Sequence, residues 1–512
     1  MSDRILPLIA ASALALAISA SASAQIVPTP RAAPLAVTPA SRPFLAALST
    51  EQPLDLASRG YAESEFVVNG LAQAYDWNTA GVGAVAKGAA VPYATRLLVR
   101  QPAAGKRFSG LVVLELLDPT PLHDTSPVWS LAQEELIRAG HVWVGVTIKP
   151  VAITALQTID ATRYGKLSFA YPQAPDCRPA PGLPGVPGSG TDALASPRAE
   201  NGLAWDVVGQ VGALLRSGSR ENPLVAIEPR RIAATGFGEA ASALTTFINA
   251  RHSALRLGDG SPIFDGYLQI AGGLAEVPIN QCAALLPPDD ARPRIGPRDA
   301  AVFNVLTQTE VPRTLKLRRE DSDDPKDVYR AFEVAGAAHS APGGSSRPGV
   351  RDSGLLGVSG ALDDPCEQPP GDFPLGLAVN GVVLQLQQWL FEGRVPAHAP
   401  PISVGEDGQV ARDATGNAIG GLRLPTVQVP MASYSARSAP RRADDASNVW
   451  RCSLTGTLRR FDSAEMKRLY GTRAEYLRRF NAAVDQAVSD RSLVAADAVA
   501  LKASQARIAP MF

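Results

Sequence analysis

The stretch Arg231-Ile-Ala-Ala-Thr-Gly-Phe-Gly-Glu-Ala240 decides how the fold is read. Arg231–Thr235 suits a short buried strand, and the residues from Glu239 to about Ala250 suit a helix. Between them lies a turn sharp enough to need small residues two positions to either side of its apex. Gly236 and Ala240 meet that demand around position 238. Centring the turn on Glu239 instead would place Phe237 where a small residue is required. The apex is therefore Gly238, a residue with no side chain.

Working outward, strands alternate with helices. Tyr93–Arg100, Leu111–Leu117 and His141–Ile148 read as strands, with a helix at Ser130–Ala139. Leu203–Arg216 places Leu203, Val207, Val211, Leu214 and Leu215 on one helical face. Asp265–Ile270, Val302–Gln308 and Tyr329–Val334 read as further strands, followed by a helix at Ala378–Glu392. Strands separated by helices predict an α/β fold, a mostly parallel central sheet with helices on both faces. Residues 25–60, rich in Ala, Pro and Ser, read as an extended arm, and the main domain spans 61–512. Residues 150–200 carry six prolines between Pro172 and Pro187 and read as a loop-rich insertion, either a lid or a plain surface excursion. Residues 437–512 read as a helical tail packed on the same domain.

An elbow of this kind is where α/β hydrolases carry their nucleophile, and the partners follow in the order acid, then histidine. Here Val302-Phe-Asn-Val-Leu-Thr-Gln-Thr-Glu310 ends on a carboxylate, and Tyr329-Arg-Ala-Phe-Glu-Val-Ala-Gly-Ala-Ala-His339 ends on a histidine. A carboxylate there would orient an imidazole acting as general base and then general acid. Asp321, Asp323 and Asp324 lie downstream as alternative acids. Of the five histidines, His141, His252 and His398 read as structural. His123 lies in the loop after the Leu111–Leu117 strand, where oxyanion loops lie, and reads either as a site residue or as an ordinary loop histidine. Ser242 sits one helical turn too far along to replace the nucleophile. Ser359 follows His339 and has no strand before it, which excludes it.

The ends and the composition set the setting. Arg4, an apolar run from Ile5 to Ala20 and the small residues Ser21–Ala24 predict a secretory signal peptide, residues 1–24, and export to a periplasm or beyond. No later stretch is apolar and long enough for a membrane span. Lys+Arg and Asp+Glu number 49 each, so no basic surface invites nucleic acid. Cys177, Cys282, Cys366 and Cys452 allow two disulfides in three pairings, read as staples between loops. No metal-ligand spacing, phosphate loop or cofactor signature is present.

Phe264-Asp-Gly-Tyr-Leu, Phe332-Glu-Val-Ala-Gly-Ala-Ala-His339, Gly420-Gly-Leu-Arg-Leu-Pro-Thr-Val-Gln-Val-Pro430 and Tyr470-Gly-Thr-Arg-Ala-Glu-Tyr476 resemble the bacterial "alpha/beta hydrolase domain" family, from about residue 60 onward. The resemblance implies an esterase-like fold whose members are often exported, with an elbow resembling G-x-S-Q-S. It implies serine at position 238, where this chain has Gly238, and a polar residue at 239, where Glu239 stands. His339 matches the family's histidine, Glu310 its acid, and Asp118 the oxyanion-loop position by location. Glu239 supplies an oxyanion-hole N–H or an alternative acid. Three readings follow: a hydrolase-fold protein inactive as a serine hydrolase that binds a small ester-like ligand, a hydrolase using water or Glu239 with the Glu310–His339 pair, and a non-catalytic interaction protein. The oligomeric state is not legible.

Overall fold

A computed structural model describes residues 25–79, 83–172, 198–274, 276–287, 289–342, 348–357 and 364–508. The expected signal peptide, most of the proline-rich stretch with Cys177, and Ser359 lie outside the described residues. The strands run in chain order β1 Gln25–Ile26, β2 Arg31–Pro34, β3 Tyr61–Trp77, β4 Ala84–Pro102, β5 Leu111–Leu116 and β6 Val142–Val146. They continue as β7 Arg231–Phe237, β8 Leu255–Arg256, β9 Gly266–Ile270, β10 Ala301–Thr307, β11 Tyr329–Val334, β12 Ala432–Ser435 and β13 Thr457–Arg460. Nine form one sheet in the order β11-β10-β9-β7-β5-β6-β4-β3-β2. From β6 to β11 all neighbours are parallel, and β4, β3 and β2 close the other side in antiparallel pairing.

The parallel strands are near-continuous apolar runs because both of their faces are covered. Along β5, Val112, Leu114 and Leu116 enter one core while Leu111 and Val113 enter another, the alternation a pleated strand imposes. The first core is closed by α4 (Ala204–Arg216) and α5 (Glu239–Ala250), the second by α1 (Pro127–Ala139) and α7 (Leu375–Glu392). The expected α/β architecture, with helices on both faces, is therefore the one observed.

Three local readings gain detail from the structure. In the segment 25–60, β2 pairs with β3, and Phe44 and Leu45 are buried. Buried arginines hold it through its backbone, with Arg96 Nη2 donating to Phe44 O at 2.5 Å and Arg100 Nη2 to Leu45 O at 2.6 Å. The stretch read as a loop-rich insertion opens with two helices, α2 (Pro150–Ile159), with Pro150 in its first turn, and α3 (Ala161–Tyr164); the run of six prolines begins only at Pro172. Cys452 lies in a helix, α9 (Ala446–Leu454), not a loop, and is bonded to Cys366; Cys282 is also in a disulfide.

The C-terminal tail carries α10 (Ser463–Tyr470), α11 (Arg473–Ser489) and α12 (Ala495–Ile508) around a small core of Met466, Tyr476 and Phe480. Asp497 of α12 accepts from Asn380 of α7 at 2.7 Å, which docks the tail on the sheet-covering helix. Among the described residues, no helix is long and apolar enough to cross a membrane.

Candidate active site

The carboxyl ends of β5, β7, β10 and β11 lead into one group of residues. The switch in strand order lies there: β5 has β6 on one side and β7 on the other, the crevice where open α/β sheets bind ligands. β7 ends at Phe237, Gly238 turns the chain with φ 57° and ψ −119°, and α5 begins at once. A Cβ at Gly236 would sit 2.7 Å from the carbonyl carbon of Ala240. That contact is why the turn needs glycine there, and why residue 240 is small and buried.

Position 238 is different. A Cβ there would meet only ordinary contacts: His339 Cε1 at 3.5 Å, His339 Nε2 at 3.6 Å and Asp118 Oδ2 at 3.8 Å. A side chain at 238 would therefore have room and would face the imidazole. Its cost lies in the positive φ, about 1–3 kcal/mol for a non-glycine residue.

The imidazole is firmly placed. His339 Nδ1 lies 2.9 Å from Glu310 Oε1, and the other oxygen of that fully buried carboxylate accepts from Thr307 N at 2.8 Å and Thr307 Oγ1 at 2.6 Å. The His339 N–H donates to Thr309 Oγ1 at 3.1 Å, and Gln308 Oε1 accepts from Gly336 N at 2.8 Å. The ring packs on Phe237 with centroids 5.1 Å apart. A carboxylate at Nδ1 selects the tautomer protonated there, leaving the Nε2 lone pair towards the space above Gly238. The alternative acids are engaged elsewhere, Asp321 and Asp323 with Arg330 and His398 and Asp324 with the Lys326 N–H.

The β5 loop supplies Asp118. Its backbone is locked to Thr125 by two 2.9 Å bonds, and its Oδ1 accepts from Thr120 Oγ1 at 2.7 Å and Thr120 N at 3.3 Å. Burial pushes the carboxyl up to about 6, against the lowering pull of the Thr120 bonds and of His339. On the same loop His123 packs edge-on against Phe44, and burial lowers its imidazole to about 4, which keeps it neutral. Glu239 is not a free acid, since its Oε1 lies 3.3 Å from the Nζ of buried Lys149. Ser242 Oγ faces the Gly238 carbonyl at 3.4 Å and accepts from Gly273 N at 3.0 Å, so it is tied into the turn. Of the other histidines, His141 meets Ser109 and His252 is held between Tyr267 and Asp299.

Sequence reasoning did not find Thr307, Thr309 or Lys149, whose roles depend on contacts between distant segments. Nor did it find that the segment after His339 is covered by the C-terminal chain: Ser340 N donates to Leu454 O at 2.9 Å, and Thr309 Oγ1 to Ala436 O at 2.9 Å. A cavity of about 980 Å³ opens beside α5, lined by Ser242, Thr246, Gly273, Arg313 and Thr314 among others; Gly238 and His339 do not line it. Among the described residues no group of three His, Cys, Asp or Glu side chains could hold a metal ion.

No curated protein sequence matches the chain. Solved structures similar to it include a thermostable esterase from Pseudomonas putida (12% identity, TM-score 0.30, 66% of this chain and 85% of that one). Others are a serine hydrolase without a lid from Xanthomonas campestris (11%, 0.23, 47% and 78%) and an esterase from Rhizomucor miehei (11%, 0.28, 64% and 85%). The family described as "Alpha/beta hydrolase domain" matches residues 31–503, nearly the whole chain, and the protein belongs to that family.

Proposed function

We propose that the protein is an exported α/β-hydrolase-domain protein of the carboxyl-ester-hydrolase type that binds a small ester-like ligand and does not work through a serine acyl-enzyme. The observation that carries this reading is the site above Gly238. The acid and the histidine are assembled at 2.9 Å, and the imidazole lies 3.6 Å from where a Cβ would be, yet residue 238 has no atom to attack with. Loss of the nucleophile in triad hydrolases costs about a million-fold in turnover. The neighbouring serine does not replace it, because Ser242 is bonded within the turn. Glu239 does not replace it either, because it is paired with Lys149. The Cys366–Cys452 bond suits an oxidising compartment, in keeping with the signal-like N-terminus.

The test is exposure of the purified protein to a fluorophosphonate probe, read by intact mass. No adduct is expected on the natural chain and one adduct on Gly238→Ser. A stoichiometric adduct on the natural chain overturns the reading, because it reveals a working serine elsewhere.

A further inference from the structure

Two polar side chains converge on the space that a residue-238 side chain would fill. His339 presents Nε2 to it at 3.6 Å from the Cβ position, and Asp118 presents Oδ2 at 3.8 Å. Neither is loosely held. The imidazole is oriented by Glu310, and the Asp118 carboxylate is fixed through its other oxygen by both donors of Thr120. The Asp118 side chain is more than nine-tenths buried. A hydroxymethyl group removed from such a point leaves room on the order of one water, and a buried water needs two to four polar partners. A nitrogen lone pair and a carboxylate oxygen supply two of them.

We propose that Asp118 and His339 hold a water in the side-chain space of residue 238 and direct it onto a carboxyl ester, so that the ester is cleaved by direct attack of water with no covalent intermediate. The proposal rests on the reading of this site as one for ester-like ligands. In the first step the water oxygen bonds to the carbonyl carbon, one proton passes to His339 Nε2 and the carbonyl π pair moves onto its oxygen. The second hydrogen stays on the attacking oxygen and is hydrogen-bonded to Asp118 Oδ2, which fixes the attacking lone pair. In the second step the oxyanion pair re-forms the carbonyl, the ester C–O bond breaks, and the leaving alkoxide takes the proton from the imidazolium. The sum is ester plus water giving carboxylic acid plus alcohol.

Glu310 and Asp118 both stabilise the imidazolium between these steps, as paired carboxylates should. The backbone N–H of the residue after the elbow apex, Glu239, is the oxyanion donor this fold provides. Asp118 is thus assigned a catalytic position where location alone had marked only an oxyanion loop. Its carboxyl group faces His339, Thr120 and Asp124, and sits near 6. Turnover that needs it ionised should therefore rise as pH passes about 6.

The experiment follows hydrolysis of short p-nitrophenyl esters by the full chain and by Asp118→Asn, Gly238→Ala and His339→Ala, with thermal unfolding of each. Gly238→Ala keeps both polar groups and fills the space with a methyl, so it tests the water even where Asp118→Asn fails to fold. Turnover about a thousand-fold above the uncatalysed rate is expected for the natural chain, the residue that triad hydrolases keep without their nucleophile. A fall of about 100-fold in kcat is expected in each folded variant. Turnover unchanged by Gly238→Ala or by a folded Asp118→Asn overturns the proposal. So does the absence of turnover on every ester, and that result leaves the ester-binding reading to be judged by the fluorophosphonate labelling of Gly238→Ser.

Discussion

The two halves of the site are built in different ways. The acid–histidine half is held from many directions. Thr307 grips the free oxygen of Glu310, Thr309 holds the His339 backbone, Gln308 holds Gly336, and the C-terminal chain covers the next residue through Leu454. The nucleophile half rests on one residue. Gly238 contributes a backbone conformation and backbone hydrogen bonds but no side chain, while its turn is shaped by Gly236 and Ala240. On the proposed reading, the missing side chain at 238 leaves no attacking atom and disturbs none of the contacts that place the imidazole. A site built this way would keep its shape without a nucleophile, because the acid–histidine half has its own structural supports.

The sharpest way to break that comparison is to restore the missing atom. Gly238→Ser should raise kcat/KM on short esters towards the about 10⁶-fold that a nucleophile contributes in triad hydrolases. The cost should be about 1–3 kcal/mol of stability from the φ of 57°. Steady-state kinetics and thermal unfolding of the one variant measure both. A rise below 10-fold would mean that the imidazole is not aimed as the 3.6 Å contact indicates. The second effect concerns the other half. In the Gly238→Ser background, Glu310→Gln should lower kcat by about 10⁴-fold, as loss of the orienting acid does in such triads. A small fall would place the orienting acid elsewhere.

The contrast also governs what could be read from the sequence. The elbow was legible because its constraint is local and steric: Gly236, Gly238 and Ala240 lie within five residues and a strand and helix flank them. Glu310 and His339 were legible from their order and from their places a few residues past the ends of β10 and β11. Asp118 was legible only as a position, since the aim of its carboxylate depends on Thr120 and on the Asp118–Thr125 lock. The clamping of residues 25–60 left no pattern in the sequence. Arg96 and Arg100 bind backbone carbonyls there, and a carbonyl carries no residue identity. The same holds for the return of the C-terminal chain onto the His339 segment, where Leu454 and Ala436 accept through their main-chain carbonyls.

That return gives the third effect. The Cys366–Cys452 disulfide joins residues 86 apart and anchors α9 beside Ser340. A loop of that length contributes about 4–5 kcal/mol by restricting the unfolded chain. Replacing both cysteines by serine should lower stability by that order in denaturant titrations. If the acid–histidine half depends on this cover, it should also loosen the site, seen as weaker fluorophosphonate labelling in the Gly238→Ser background. Labelling unchanged at full fold would show that the threonine contacts alone suffice.

The smallest effect separates the two halves by pH. Asp118 belongs to the side of the site that lacks its nucleophile, and its carboxyl lies at about 6 in the folded protein against 3.8 ordinarily, mainly because it is buried. Thr120, His339 and Asp124 are the groups that modulate it. Well below pH 3.8 the group is protonated in both the folded and unfolded chain and costs nothing. As pH rises towards 6 the unfolded chain releases the proton first, so the folded state loses stability across that window and is flat above it. The loss has an upper bound of about 3 kcal/mol. Asp118→Asn cannot titrate and keeps a carbonyl oxygen for Thr120, so its stability relative to the natural chain should climb between pH 4 and pH 6 and then level off. Denaturant midpoints across that range measure it. A difference that stays constant with pH would mean that Asp118 is hydrated and ionised like a surface carboxylate, and the space above Gly238 would then be open to bulk solvent instead of shaped for a single water.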